Sequence, residues 1–156
     1  MQSENMVEIL LVEDNPSDAK LAIKALQRNN LANRVYLVTD GEEALDFLFA
    51  RGKYESRKGA LNLKVVMLDL KLPKIDGLEV LRVIKNDPLT RMIPVVMLTS
   101  SKEEKDIVES YKLGVNSYIV KPVDFEQFVK SVAELGLYWC ILNETGAYNQ
   151  ILINIG

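Results

Sequence analysis

At 156 residues, with a formal net charge of −3, 26% charged and 48% apolar residues, the chain has the size and composition of one soluble domain. Neither sign of charge is in excess, which gives no argument for nucleic acid or an anionic membrane surface as a partner, and the lone Cys140 excludes an intramolecular disulfide and fits a reducing compartment. Histidine is absent, Met1 to Glu8 lack a basic-then-apolar leader, and no apolar run approaches the roughly 18 residues of a membrane helix, so a cytoplasmic, non-membrane protein without a zinc-histidine site or a histidine phosphocarrier is expected.

Short apolar runs alternate with segments of helical period, the pattern of repeated βα units around a parallel sheet. The first run, Ile9 to Val12, ends on Glu13 and Asp14; Asn15, Pro16 and Asp18 then supply a cap, a first-turn proline and an early acid for a helix whose Ala19, Ala22, Ile23 and Leu26 share one face. The second run, Val35 to Val38, precedes a helix from about Gly41 to Ala50 with Ala44, Leu45 and Leu48 inward and Gly52 as a stop. Arg51 to Leu63 is polar and longer than the ~2–6 residues of an ordinary αβ loop; it reads either as a surface loop, the simpler view, or as a recognition segment. Val65 to Leu68 delivers Asp69, and Asp76 with Glu79 has capping-box spacing. Val95 to Leu98 ends on Thr99, followed by a second box at Ser101 and Glu104. Tyr118 to Val120 ends on Lys121 and Pro122, and Asp124 with Gln127 starts a fifth helix carrying Phe125, Phe128, Val129, Val132 and Leu135 at helical spacing. Continuous apolarity in the first, third and fourth runs predicts strands covered by helices on both faces, in an α/β fold.

In an open α/β sheet, ligands bind beyond the carboxyl ends of the strands, which is where this chain puts Glu13, Asp14, Asp69, Thr99 and Lys121. A carboxylate such as Asp69 can attack a phosphoryl group and form an acyl phosphate. Glu13 and Asp14 beside it would repel it unless a cation neutralises the group, and Mg²⁺ suits an all-oxygen site that also meets phosphate oxygens. Thr99 can donate its hydroxyl to a phosphoryl oxygen, and the Lys121 ammonium can pair with the carboxylate before transfer and the phosphoryl after it. Taken singly, Asp69 could be a turn former, Asp14 a helix-capping residue, Thr99 an ordinary strand end and Lys121 a solvated lysine; their joint placement argues for a site.

The pieces LLVEDNPSD, VVMLDLKLPKIDGLEVL, IPVVMLTSS and NSYIVKPVDFEQF resemble the receiver domains of two-component response regulators, over about Val7 to Leu135. The resemblance implies a flavodoxin-like (βα)5 fold with a doubly wound parallel sheet of strand order 2-1-3-4-5. It also implies Asp69 as phosphoacceptor, Glu13, Asp14, Asp69 and the Lys71 carbonyl around Mg²⁺, Thr99 and Lys121 as phosphoryl partners, a cis Lys121–Pro122 peptide, and Tyr118 as a switch aromatic. Tyr118 otherwise reads as a core-edge tyrosine. Implied partners are a sensor histidine kinase or phosphotransfer protein, with a finer likeness to small regulators of bacteriophytochrome-type kinases. The expected role is signalling, not metabolite turnover.

Val115 stands where the family usually has alanine after Gly114, and only about twenty residues follow Leu135, so one receiver domain over 1–156 is expected, with a core of about 7–135 and an extension of about 136–156. Leu135, Tyr138, Trp139 and Leu142 continue an apolar face that either forms a homodimer through the fifth-helix region or folds back on its own domain. Two other classes compete. A haloacid-dehalogenase-type phosphohydrolase needs a second acid where Lys71 stands, and a phosphorylation-independent adaptor would not need the full set of site residues; a nucleotide-binding protein lacks its glycine-rich loop.

Overall fold

The five apolar runs form five strands of one parallel sheet in a computed structural model that describes residues 7–27, 35–57, 63–121 and 126–127. In chain order the elements are β1 (Ile9–Val12), α1 (Pro16–Gln27), β2 (Val35–Val38), α2 (Gly41–Leu48), a 3₁₀ segment (Gly52–Arg57), β3 (Val65–Leu68), α3 (Gly77–Asn86), β4 (Val95–Thr99), α4 (Glu104–Lys112) and β5 (Ser117–Val120). The strand order is β2-β1-β3-β4-β5, as the resemblance implies. Every residue of β1, β3 and β4 is buried, whereas the edge strands β2 and β5 are partly open, matching the continuous apolarity of the three central runs.

Register is what brings the site together. Ile9 pairs with both Val35 and Val65, and Val12 with Leu68, so Glu13 and Asp69 leave the sheet at the same level. The ladder continues one step past the strands: Glu13 N–H donates to Val38 O at 3.0 Å, Asp69 N–H to Val12 O at 3.1 Å and Lys121 N–H to Thr99 O at 2.8 Å. Each side chain of interest thus hangs from a backbone position fixed by its neighbour strand.

Helix starts follow the sequence in part. Asn15 Oδ1 accepts from Asp18 N–H at 3.0 Å, and Asp76 Oδ1 accepts from Glu79 N–H at 3.1 Å, half of the expected box, while the Glu79 carboxylate turns to Arg82. The box expected at Ser101 and Glu104 does not form. The helix starts later than that spacing expects, with Glu103 as its N-cap and no side-chain cap, and Ser101 lies two residues ahead, its hydroxyl donating to Asp106 at 2.6 Å and accepting from Glu103 N–H at 3.3 Å. α2 stops at Leu48, short of Ala50, because Ala50 and Gly52 adopt left-handed φ of 53° and 57°.

The connection after α2 is not a plain surface loop over Gly52–Arg57. Tyr54 and Arg57 are buried. The Tyr54 ring meets Phe47 edge-on at 5.0 Å and Tyr36 at 5.8 Å, and its hydroxyl donates to Glu43 at 2.7 Å. Arg57 lies 3.7 Å over the Phe47 ring and donates to Phe47 O at 3.1 Å. The segment is clamped onto α2 by two side chains that a polar composition conceals. The fifth helix beyond Glu126 and Gln127, the Lys121–Pro122 peptide and the extension lie outside the described residues.

Burial is the largest factor holding the Tyr54 phenol above its ordinary 10.0, with its hydrogen bonds to Tyr36 and Glu43 acting in the same direction. The unfolded phenol ionises near its ordinary value and the folded one does not, so its contribution is present below about pH 10 and lost as pH rises beyond it. Tyr54→Phe should therefore lower stability to urea by about 1–2 kcal/mol at neutral pH, and the gap from wild type should narrow above pH 10. An equal gap at both pH values would refute the buried-phenol account.

Candidate functional site

Asp69 follows β3 and is buried; its Oδ1 lies 3.5 Å from Lys71 N–H. The backbone around it leaves no room. Gly77, first residue of α3, donates its N–H to Leu70 O at 2.7 Å, and a Cβ there would stand 2.1 Å from Asp69 O and 2.6 Å from Leu70 O. Glycine is required here by close approach, not by φ.

Glu13 is buried at 3% exposure and Asp14 is exposed, and carboxylate oxygens of Glu13, Asp14 and Asp69 lie within 4.8 Å of one another. Glu13 accepts from Asn15 N–H at 3.1 Å. Lys121 reaches into this group: its Nζ is 3.0 Å from Asp69 Oδ2 and 3.0 Å from Asp18 Oδ2, and it is closely paired with Glu13. Burial pushes the Glu13 carboxyl up to about 7, and the Asp69 charge adds to this, against the opposing hydrogen bonds from Lys121 and Asn15. For Lys121, burial alone would lower the ammonium; hydrogen bonds to Glu13, Asp18 and Asp69 outweigh it and hold the group charged, above its ordinary value.

Thr99 is buried at the end of β4, on the same edge of the sheet, and its hydroxyl oxygen accepts from Ser101 N–H at 3.3 Å. Tyr118, on β5, donates its hydroxyl to Ser101 O at 3.0 Å, and burial raises its phenol. Thr99 and Tyr118 thus meet through the backbone of Ser101, whose side chain ties to α4 through Asp106. A cleft of about 450 Å³ opens beside the acids, lined among others by Asp14, Lys71, Asp76 and Asp106.

Glu13, Asp14, Asp69 and Lys121 are therefore brought together, Lys71 lies at the rim, and Thr99 and Tyr118 adjoin them, each bonded to the backbone of Ser101. Sequence reasoning missed three participants. Asp18 was legible only as an early helix acid, Gly77 had the signal of a glycine directly after a capping aspartate, and Ser101 was read as a cap. Chemically, three hard oxygen donors with one exposed member fit a hard divalent cation, and the half-buried ammonium beside Asp69 fits an incoming anion.

Residues 9–133 match the family model described as the response regulator receiver domain. The chain is 40% identical to the probable methanogenesis regulatory protein FilR2 of Methanothrix harundinacea, covering 89% of this chain and 87% of that protein. It is 38% identical to response regulator Rcp1 of Synechocystis, covering 84% of this chain and 87% of that protein. The Mn²⁺-bound form of Rcp1 superposes with a TM-score of 0.71 at 36% identity, covering 90% of this chain and 99% of that one. The bacteriophytochrome response regulator AtBRR superposes with a TM-score of 0.78 at 55% identity, covering 89% and 99%.

Gly77→Ala should cost on the order of 2–3 kcal/mol in thermal or urea unfolding, because α3 must shift away from Asp69 to admit the methyl group. A stability unchanged from wild type would show that the contact between α3 and the loop after β3 is looser than described.

Proposed function

The chain belongs to the response regulator receiver family of two-component signalling, and we propose that Asp69 is its phosphoacceptor, served by Lys121, Thr99 and a divalent cation at Glu13 and Asp14. The observation that carries this reading is the half-buried Lys121 ammonium 3.0 Å from Asp69, inside a group of carboxylates that one ammonium does not neutralise.

The donor is a phosphohistidine on a sensor kinase or phosphotransfer protein, since this chain has no histidine. An Asp69 oxygen forms the new O–P bond as the P–N bond breaks, and the imidazole leaves and takes up a proton. Mg²⁺, held by Glu13, Asp14, Asp69 and the Lys71 carbonyl, would supply charge neutralisation to the phosphoryl oxygens. Lys121 pairs with the phosphoryl once it is in place, exchanging one carboxylate contact for another anion. The Thr99 hydroxyl uses its oxygen, not its proton, in the bond with Ser101, so the proton is available to the phosphoryl.

Turning Thr99 toward the phosphoryl releases Ser101 N–H, and with it the carbonyl that holds Tyr118 and the side chain that holds α4. The signal is then read by protein partners on the α4 and β5 side. Similarity to AtBRR favours a bacteriophytochrome-type sensor kinase as the input, and the apolar spacing of Leu135, Tyr138, Trp139 and Leu142 supports a homodimer through the fifth-helix region. A single receiver domain working in the cytoplasm fits these partners.

Incubation with acetyl phosphate should give one Mg²⁺-dependent phosphoryl adduct by intact mass, absent in Asp69→Asn. No adduct on folded wild type, from acetyl phosphate or from a cognate kinase, would overturn the assignment. Tyr118→Phe should lessen the phosphorylation-dependent change in hydrogen exchange of α4 while leaving the adduct yield intact; an α4 response identical to wild type would remove Tyr118 from the switch.

A further inference from the structure

We propose that Asp18 is a positioning residue that aims the Lys121 ammonium at Asp69. The inference rests on the reading of Asp69 as phosphoacceptor. A lysine ammonium has three N–H donors, and here three carboxylates take them: Glu13, Asp18 and Asp69. With two donors fixed by Glu13 and Asp18, the tetrahedral geometry of the nitrogen directs the third at Asp69.

The two fixing carboxylates are not equivalent. Glu13 belongs to the trio able to hold a metal ion, and Asp18 does not. A bound cation therefore competes with Lys121 for Glu13 and leaves Asp18 as the carboxylate whose contact with the ammonium it does not share. Asp18 is also placed from a different element: it sits in the first turn of α1, where its own N–H is held by Asn15 at 3.0 Å, so its carboxylate starts from an anchored backbone. Its side chain is 35% exposed, against 11% for Lys121, which puts it at the mouth of the site and not in the core.

Steering and charge can be separated. An Asp18 that steers is replaced adequately by asparagine, which keeps an acceptor oxygen in place. An Asp18 that merely withholds positive charge from the phosphoryl would give faster phosphorylation on either substitution.

The rate of Asp69 phosphorylation by acetyl phosphate with Mg²⁺ should fall roughly tenfold in Asp18→Ala and recover to within about threefold of wild type in Asp18→Asn. A small donor avoids any effect on kinase docking. In a Lys121→Ala background, Asp18→Ala should change the rate no further, which a general loosening of α1 would not reproduce. Equal or faster phosphorylation in Asp18→Ala, equal losses in Ala and Asn variants, or an undiminished effect without Lys121 would each overturn the proposal. Wild type that takes no phosphoryl group would instead sink the phosphoacceptor reading on which it rests.

Discussion

The arrangement depends on one imbalance: three carboxyl groups, Glu13, Asp18 and Asp69, meet the single half-buried ammonium of Lys121, and a fourth, Asp14, lies beside Glu13 and Asp69. Like charges this close disfavour one another; register fixes the backbone positions of Glu13 and Asp69, and Lys121 offsets part of the repulsion. The stability of the hydrophobic sheet is thus spent on holding an electrostatically unfavourable edge. A cation at these acids would relieve the repulsion, and an anion at Asp69 would meet an ammonium already in place.

Linking that edge to the surface needs a short path, and Ser101 supplies one. Its N–H faces Thr99, its carbonyl faces Tyr118 and its hydroxyl faces Asp106. Three bonds from one residue connect the end of β4, the aromatic on β5 and the first turn of α4. Each bond is individually modest, about 1 kcal/mol net.

How far the sequence can be read follows from the range of each interaction. Strands β1, β3 and β4 were legible because double-sided burial writes itself as continuous apolarity, and Asn15 and Asp76 were legible because their caps span three residues. The carboxylates and lysine of the site were legible as strand-end residues once a parallel sheet was inferred. Asp18 was not, because its contact with Lys121 crosses 103 positions of sequence and its local setting already explained it as a helix acid. Tyr54 and Arg57 were hidden by composition: among glycine, lysine and glutamate a buried tyrosine and arginine leave no periodic trace.

The two ends of the strands hold their lysines in different company. At the amino edge of β4, Lys85 donates to Ile93 O at 2.8 Å, Asn116 Oδ1 at 3.2 Å and Arg91 O at 3.3 Å, while the buried Thr90 hydroxyl donates to Ile84 O at 2.7 Å. These are neutral acceptors, and burial lowers the Lys85 ammonium. At the carboxyl edge the same type of side chain, Lys121, meets carboxylates and is raised. A lysine satisfied by backbone and amide oxygens has no reason to move when an anion arrives elsewhere. A lysine shared among competing carboxylates has neighbours whose charge changes with every ligand. The fold thus closes one end of its strands with neutral hydrogen bonds and gathers competing carboxylates around the lysine at the other, the end that carries Asp69.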